Sequence, residues 1–338
     1  MRIHITDIYN IGGTAAQFQH MVTDIARELF SCNELGVHLY PMDSDSPEML
    51  RTRMDGILAA VEWDDIVILQ SPTWNGVLFD QAFIERLNRY GGVKKILFIH
   101  DVTPLMFESN RNLLPGYMQI FNDMDLLIVP SQKMAEFLAG EGLTVQKIVV
   151  QRMWDFPVSI DTSVTPQFRK VMNFAGDTNR DKFSFAKGWN YDSVKLVVTA
   201  REGDWKHGVN IEFLGWIQDQ NILANVIRKS GGFGLLWAED GYWKEYMKLN
   251  ACSKLSLYLA AGLPVIVPNS IPEAGTILRK DLGLAVESLD EAVETVEGME
   301  EGRYRQMVQN VERFAELIRG GFFTRKALTD AVFYLLYD

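Results

Sequence analysis

Hydrophobic residues in the first half of the chain fall into short runs separated by amphipathic segments. Continuous apolar runs that alternate with helical periodicity favour a parallel sheet covered on both faces, and so predict a doubly wound α/β domain. The predicted strands are Ile3–Ile8, Val37–Pro41, Asp65–Gln70, Lys95–His100, Leu126–Pro130 and Lys147–Gln151, and the predicted helices are Ala15–Phe30, Pro47–Val61, Phe79–Tyr90 and Gln132–Gly140.

The same alternation returns after a stretch rich in turn formers, 154–167, which we interpret as an interdomain linker. Its predicted strands are Val171–Ala175, Leu196–Thr199, Ile211–Leu214, Gly234–Trp237, Val265–Val267 and Leu284–Val286, with helices at Asn221–Lys229, Ser253–Ala261, Pro272–Arg279, Leu289–Val296 and Arg303–Leu317. We therefore predict two Rossmann-like domains, 1–155 and 168–319, with a ligand cleft between them. A tail helix in 320–338 is expected to pack back on the first domain.

Composition and charge narrow the classes of function. The 338 residues suit two domains, and 47% hydrophobic with 23% charged residues is an ordinary globular balance. A net charge of −11 argues against nucleic acid or anionic lipid as partners. The cysteines, Cys32 and Cys252, support neither a disulfide framework nor a zinc motif. We expect a cytoplasmic protein that does not insert into a membrane, because neither a signal peptide nor a long apolar span is evident.

Ligands of open α/β sheets bind at the carboxyl ends of the strands, which directs attention to the loops there. The first loop carries Gly12, Gly13 and Thr14 before a helix, and fits either an anion-binding turn or a structural turn. It lacks the G-x-G-x-x-G pattern, so a nicotinamide oxidoreductase is disfavoured.

Two further loops of the first half carry side chains suited to a sugar reaction. Thr73, Trp74 and Asn75 offer an aromatic face with hydroxyl and amide groups, as a sugar site needs, although Trp74 packed inward is the alternative. His100 and Asp101 follow the next strand, where either is a candidate general base or a structural cap.

In the second half the notable feature is a cation at the head of a helix. Lys254 begins an amphipathic helix that stops at Gly262, and a helix N-terminus favours an anion such as a diphosphate. Arg180 follows an earlier strand and is a forked donor suited to phosphate. Trp216, after another strand, is placed to stack on a base or to join the core.

These residues resemble a known family. Lys254 to Ile266, preceded by the run from Gly231 to Trp237, resembles the donor half of GT-B glycosyltransferases. The motifs at 71–75, 100–108 and 320–326 are similar to the bacterial glucosyltransferases that add the second sugar to O-GlcNAc on serine-rich-repeat adhesins.

The resemblance implies an enzyme that uses a UDP-sugar, most often UDP-glucose, and needs no metal or other cofactor. It places the donor near Gly13, Thr14, Arg180, Trp216, Asn250, Ser253, Lys254 and Leu255. The acceptor, GlcNAc on a Ser/Thr-rich protein, would meet Thr73, Trp74 and Asn75, and His100 or Asp101 would act as base. A homo-oligomer is expected.

One departure from the resemblance concerns Leu257, which stands where many GT-B enzymes carry the Glu that binds ribose. The donor sugar therefore stays open, with UDP-galactose or a galactofuranose donor as alternatives. A nucleotide-sugar epimerase and a non-catalytic partner subunit of a glycosyltransferase complex are rival interpretations of the chain.

Overall fold

A computed structural model of the chain describes residues 1–176, 181–200 and 208–337. Arg180 lies outside the described residues. The chain divides into two compact units, one formed by 1–151 with 324–338 and the other by 152–323. Each unit contains a six-stranded sheet, and all the strand pairs in both sheets are parallel.

The sheet of the first unit has the strand order β2-β1-β3-β4-β5-β6. Its strands are β1 Ile3–Tyr9, β2 Asn33–His38, β3 Ile66–Ser71, β4 Lys94–Ile99, β5 Leu126–Val129 and β6 Ile148–Val150. Its helices are α1 Thr14–Phe30, α2 Pro47–Ile57, α3 Val77–Leu87, α4 Thr103–Met106, α5 Leu114–Asn122 and α6 Gln132–Gly140. Every residue of β3 is buried, as expected for a central strand covered on both faces.

The sheet of the second unit has the strand order β12-β11-β10-β7-β8-β9. Its strands are β7 Val171–Phe174, β8 Lys195–Val198, β9 Ile211–Phe213, β10 Phe233–Leu235, β11 Val265–Pro268 and β12 Gly283–Val286. Its helices are α7 Gln220–Ser230, α8 Gly241–Met247, α9 Ser253–Ala260, α10 Ala274–Arg279, α11 Leu289–Glu297 and α12 Glu301–Arg319. Counted from β7, this order is the 3-2-1-4-5-6 arrangement of the Rossmann fold.

The last helix, α13, spans Phe322–Tyr337 and contacts the first unit through polar groups. The Gln151 amide donates to the Thr324 hydroxyl over 3.1 Å, and Lys147 Nζ donates to the Tyr334 carbonyl over 3.3 Å. Arg325 forms an ion pair with Glu28 of α1. These contacts explain why residues 324–338 group with residues 1–151.

The segment interpreted as a linker is irregular, but its first residues are packed inside the second unit. Trp154 and Asp155 are buried. The Trp154 indole donates to the Ala251 carbonyl over 3.1 Å, and Asp155 accepts from the Phe323 backbone N–H over 3.2 Å. The beginning of this segment is therefore part of a folded unit.

The predicted fold of two Rossmann-like domains is confirmed, whereas some element bounds differ. Strand β2 begins at Asn33 and not at Val37. The first half of β2 lacks the apolar pattern on which the prediction depends, because it contains the polar Glu34, which is paired with Arg27 and the Tyr9 hydroxyl. Helix α5 was not predicted because its first turn contains Pro115 and Gly116, although Pro is tolerated at the start of a helix.

Candidate active site

In the first unit the strand order reverses between β1 and β3, and this switch point brings the first two candidate loops together. The β1 loop ends at Gly13, whose φ of +83° requires glycine, and α1 begins at the exposed Thr14. Gln19 of α1 donates to the Pro72 carbonyl over 2.9 Å and so fixes the β3 loop against α1. The free N–H groups at the head of α1 therefore lie beside the Trp74 loop.

Thr73 and Asn75 hold the β3 loop in shape. The Thr73 hydroxyl donates to Asp80, and Asn75 Oδ1 accepts from the Tyr40 N–H over 3.2 Å. Asn75 Nδ2 donates to the His38 carbonyl over 3.1 Å. Both side chains are buried, so Trp74, which is half-buried at a φ of +64°, is the accessible member of the predicted acceptor set.

A buried carboxyl that was not predicted supports this loop. Asp80 lies in the first turn of α3, and burial raises its pKa to about 7 despite the hydrogen bond from Thr73. Near it, the Thr103 hydroxyl donates to the Tyr117 hydroxyl over 3.0 Å. A carboxylate seven residues after a threonine carries no recognisable spacing signal, so only the fold brings the two together.

The two candidate bases have different environments. His100 is buried, and burial lowers its pKa to about 3, so the ring is neutral near pH 7. Its Nε2 lies 2.8 Å from Gln70 Oε1. The Gln70 amide already donates to Thr6 and Thr23, so Gln70 Oε1 accepts and the His100 proton lies on Nε2. Asp101 is half-buried and the more accessible of the two.

In the second unit the switch point lies between β7 and β10, and Lys254 stands next to it. Lys254 is the second residue of α9, where the helix N–H groups face outward. Its stem passes over the end of β7, because a Cβ added at Gly176 would lie 3.1 Å from Lys254 Cε. The cation, the α9 N-terminus and the β7 loop therefore meet at one place.

An aromatic ring orients this lysine. Lys254 Nζ lies 4.8 Å from the centre of the Phe183 ring, within the range of a cation–π interaction. Phe183 is itself buried, and its ring meets Phe174 of β7 edge-on at 5.0 Å. Sequence analysis missed Phe183 because it is one of 19 phenylalanines and follows no motif.

Helix α9 is fixed to the switch point by Tyr258. Its hydroxyl accepts from the Ala175 N–H over 2.8 Å, directly after β7. The Tyr258 ring crosses β10 at Gly234, where an added Cβ would come within 2.2 Å of Tyr258 Cγ. The last glycine of the run from Gly231 to Gly234 is thus required by close packing of helix on strand.

The other predicted donor residues are distributed over this edge of the sheet. Asn250 and Ser253 are half-buried beside the head of α9, whereas Leu255 is a core side chain at 1% exposure. Trp216 follows β9 and is 59% exposed, so it does not belong to the core. Strand β9 is two strands from β7, which sets Trp216 on the order of 10 Å along the same sheet edge.

Two features of the described part of the chain bear on alternatives to this site. Within residues 1–176, 181–200 and 208–337, no group of three or more His, Cys, Asp or Glu side chains is arranged to hold a metal ion. No helix in those ranges has the length and apolar character needed to cross a membrane.

Comparison with known proteins gives two family matches and two full-length relatives. Residues 2–153 match the model for the "Glucosyltransferase 3-like, N-terminal domain", and residues 172–331 match that for its C-terminal domain. The chain is 42% identical to "Glucosyltransferase 3" of Streptococcus gordonii, over 99% of this chain and 100% of that one. It is 38% identical to "Glucosyltransferase 3" of Streptococcus parasanguinis over the full length of both.

A solved structure extends the likeness at the level of the fold. The chain resembles Anabaena HepE, solved in complex with UDP and glucose, with a TM-score of 0.62 and 12% identity. The match covers 98% of this chain and 99% of that one. At this identity the likeness concerns the fold alone.

Proposed function

Since this chain belongs to the glucosyltransferase 3-like family and is a UDP-sugar-dependent glycosyltransferase, we propose that it moves glucose from UDP-glucose to GlcNAc O-linked to Ser or Thr of a serine-rich-repeat glycoprotein. The observation that carries the proposal is the pair of full-length relatives named glucosyltransferase 3. The acceptor half of the proposal depends on the similarity of the motifs at 71–75 and 100–108.

The donor is assigned to the second unit. Lys254 Nζ and the N–H groups of α9 would bind the diphosphate, and Arg180 would add a forked donor to it. Trp216 would stack on the uracil, with Asn250 and Ser253 at the edge of the pocket. Leu255 is buried and would contribute only through its backbone N–H at the helix N-terminus.

The first unit supplies the remaining groups. By the resemblance, Gly13 and Thr14 at the head of α1 would bind an anionic group of the donor. The half-buried Trp74 would stack on the GlcNAc ring, while Thr73 and Asn75 act indirectly by holding its loop. We assign the base to Asp101, because it is the more accessible of the two, whereas burial lowers the pKa of His100 to about 3 and makes its ring a weak proton acceptor.

The proposed reaction is attack of a GlcNAc hydroxyl on the donor C1. Asp101 takes the hydroxyl proton, the new glycosidic bond forms, and the C1–oxygen bond to UDP breaks. The leaving diphosphate gains negative charge, which Lys254 and the α9 N-terminus stabilise more strongly in the transition state than in the ground state. No metal is required in this scheme, because fixed cations and backbone N–H groups take its place.

We also propose that the enzyme acts as a homo-oligomer. Phe333 and Tyr337 of α13 are 52% and 78% exposed, with ring centres 5.7 Å apart. Exposed neighbouring aromatic rings are typical of a surface that another chain covers.

A donor panel tests the proposed function. UDP release is followed with UDP-glucose, UDP-galactose and UDP-galactofuranose, each with and without a GlcNAc-bearing serine peptide. Release that needs both UDP-glucose and the peptide supports the proposal. A changed UDP-sugar without the peptide would indicate an epimerase, and bound UDP with no turnover would indicate a partner subunit.

A further inference from the structure

A groove runs along the free edge of the first sheet. Strand β2 is the outermost strand of the order β2-β1-β3-β4-β5-β6. Beside it lies a cavity of about 550 Å³, whose walls are β2 on one side and α2 with its following turn on the other. Its lining includes Glu34, Gly36 and His38 of β2, and Arg53, Gly56 and Ala59 opposite them.

We propose that this groove binds the polypeptide part of the acceptor, as an extended segment with small neutral side chains that lies along β2. The inference rests on the proposed function, since it assumes that the sugar acceptor is attached to a protein. It assigns a binding surface separate from the Trp74 loop that holds the sugar.

One end of the groove meets the acceptor loop directly. His38, at the end of β2, accepts a hydrogen bond from Asn75 in the Trp74 loop over 3.1 Å. Phe79, five residues after Trp74, forms part of the groove wall. From His38 back to Glu34 the strand spans roughly 13 Å at 3.3 Å per residue, enough for about four extended residues. A peptide leaving the sugar site would therefore enter the groove at His38.

The charges in the groove are already neutralised within the first unit. Glu34 is paired with Arg27, and Tyr9 donates its hydroxyl to it. Arg53 binds both carboxylate oxygens of Asp45 and lies 3.9 Å over the Tyr40 ring. A wall of this kind favours an uncharged chain over an acidic or basic one.

The shape and backbone of the groove favour the same occupant. Gly56 and Ala59 line it with minimal side chains, so the backbone of an opposing chain with small side chains can approach them closely. The outer edge of β2 presents backbone N–H and C=O groups that an extended peptide pairs with by strand addition. A neutral segment rich in Ser, Thr and Ala satisfies both requirements.

A filling substitution in α2 tests the proposal without disturbing the fold. A Cβ added at Gly56 meets no heavy atom within 4 Å, and replacing a helical glycine does not weaken a helix. Because Gly56 lines the groove, we expect the phenyl ring of Gly56→Phe to block it. Gly140→Phe is the matched control, because Gly140 ends α6 in the same unit, is exposed, and also meets nothing within 4 Å.

Two readouts separate the groove from the sugar site. Kinetics are measured with a twelve-residue Ser/Ala peptide that carries one GlcNAc, and with p-nitrophenyl GlcNAc, which has no peptide. Binding of the same peptide, fluorescently labelled, is measured by anisotropy. We expect Gly56→Phe to raise KM and Kd for the glycopeptide at least tenfold. Its kinetics with p-nitrophenyl GlcNAc and its KM for UDP-glucose should match those of wild type and Gly140→Phe.

Several results would overturn the groove assignment. One is a Gly56→Phe enzyme with unchanged glycopeptide affinity, and another is an equal loss with both acceptors. A third is a Gly56→Phe chain that changes oligomeric state by ultracentrifugation but still binds the peptide, since a second copy would then occupy the edge. A different outcome would separate the two proposals. If the wild-type chain transfers no sugar but binds the glycopeptide, and Gly56→Phe weakens that binding, then the proposed function is wrong and the groove assignment is supported.

Discussion

The charge on Lys254 is the feature whose removal tests the proposed donor site most directly. Lys254→Met keeps most of the stem and removes the ammonium. A unit charge about 4 Å from a phosphate oxygen contributes on the order of 4 kcal/mol at an effective dielectric constant near 20. Loss of comparable preorganised electrostatic contacts lowers kcat by about 10²–10³-fold. We expect a loss of that size for Lys254→Met.

The Phe183 ring provides the second arm of the test. The ammonium lies 4.8 Å from the ring centre, where a half-buried cation–π pair is worth about 1 kcal/mol. Phe183→Leu keeps an apolar side chain but removes the ring face, whereas Phe183→Tyr keeps the face. We expect Phe183→Leu to lower kcat/KM roughly fivefold through Lys254, and Phe183→Tyr to change it little.

A double-mutant cycle isolates that coupling from simple packing loss. Wild type, both single variants and the Phe183→Leu, Lys254→Met double variant are compared by steady-state transfer and by calorimetric UDP affinity, with unfolding midpoints as a control for folding. The expected coupling is about 1 kcal/mol. If Phe183→Leu costs the same in the Lys254→Met background, the ring does not act on the cation and the reasoning is wrong.

Three further predictions concern the first unit. Asp80→Asn should raise the free energy of unfolding at pH 8 but not at pH 3. Burial raises the pKa of the Asp80 carboxyl from 3.8 to about 7, so its ionisation lowers the free energy of unfolding of the wild type by up to about 4 kcal/mol as pH rises through that range. Equal gains in urea titrations at both pH values would contradict this. Asp101→Asn should lower kcat at least 10²-fold with acceptor KM unchanged, and a rate near wild type would remove Asp101 as base. Trp74→Ala should raise KM for the GlcNAc acceptor about tenfold and leave UDP affinity intact, and weakened UDP binding in calorimetry would argue against an acceptor role.

The sequence was sufficient for the fold because the buried strands are marked by continuous apolar runs. Strand β3 and helix α9 combine continuous burial with clear stop signals, and both were predicted to within one residue at each end. The resemblance to the glucosyltransferase family, carried by motifs spread over the chain, is confirmed by the two full-length relatives. The prediction fails at the start of strand β2, because the ion-paired Glu34 stands there in place of an apolar residue.

Side-chain roles within the site were less predictable, since they depend on partners distant in sequence. Asn75 was expected to face a sugar, yet its amide joins the end of β2 through His38. His100 is a predicted candidate base, and its contact with Gln70, thirty residues earlier, was not predicted. The first contact joins the β3 loop to the end of β2, two strands away, and the second joins the residue after β4 to strand β3. No local pattern encodes such a pairing.

The burial of α9 explains why the departure at Leu257 is compatible with an intact diphosphate site. Residues Leu255–Ala260 are all buried, so the helix presents only its first turn, Ser253 and Lys254, at the switch point. Leu257 is 4% exposed, and a carboxylate there would be costly without a buried partner. In the proposed donor site, α9 would therefore contact phosphate alone. Recognition of the ribose hydroxyls must come from other strand ends of the second unit, such as the β9 loop that carries the exposed Trp216.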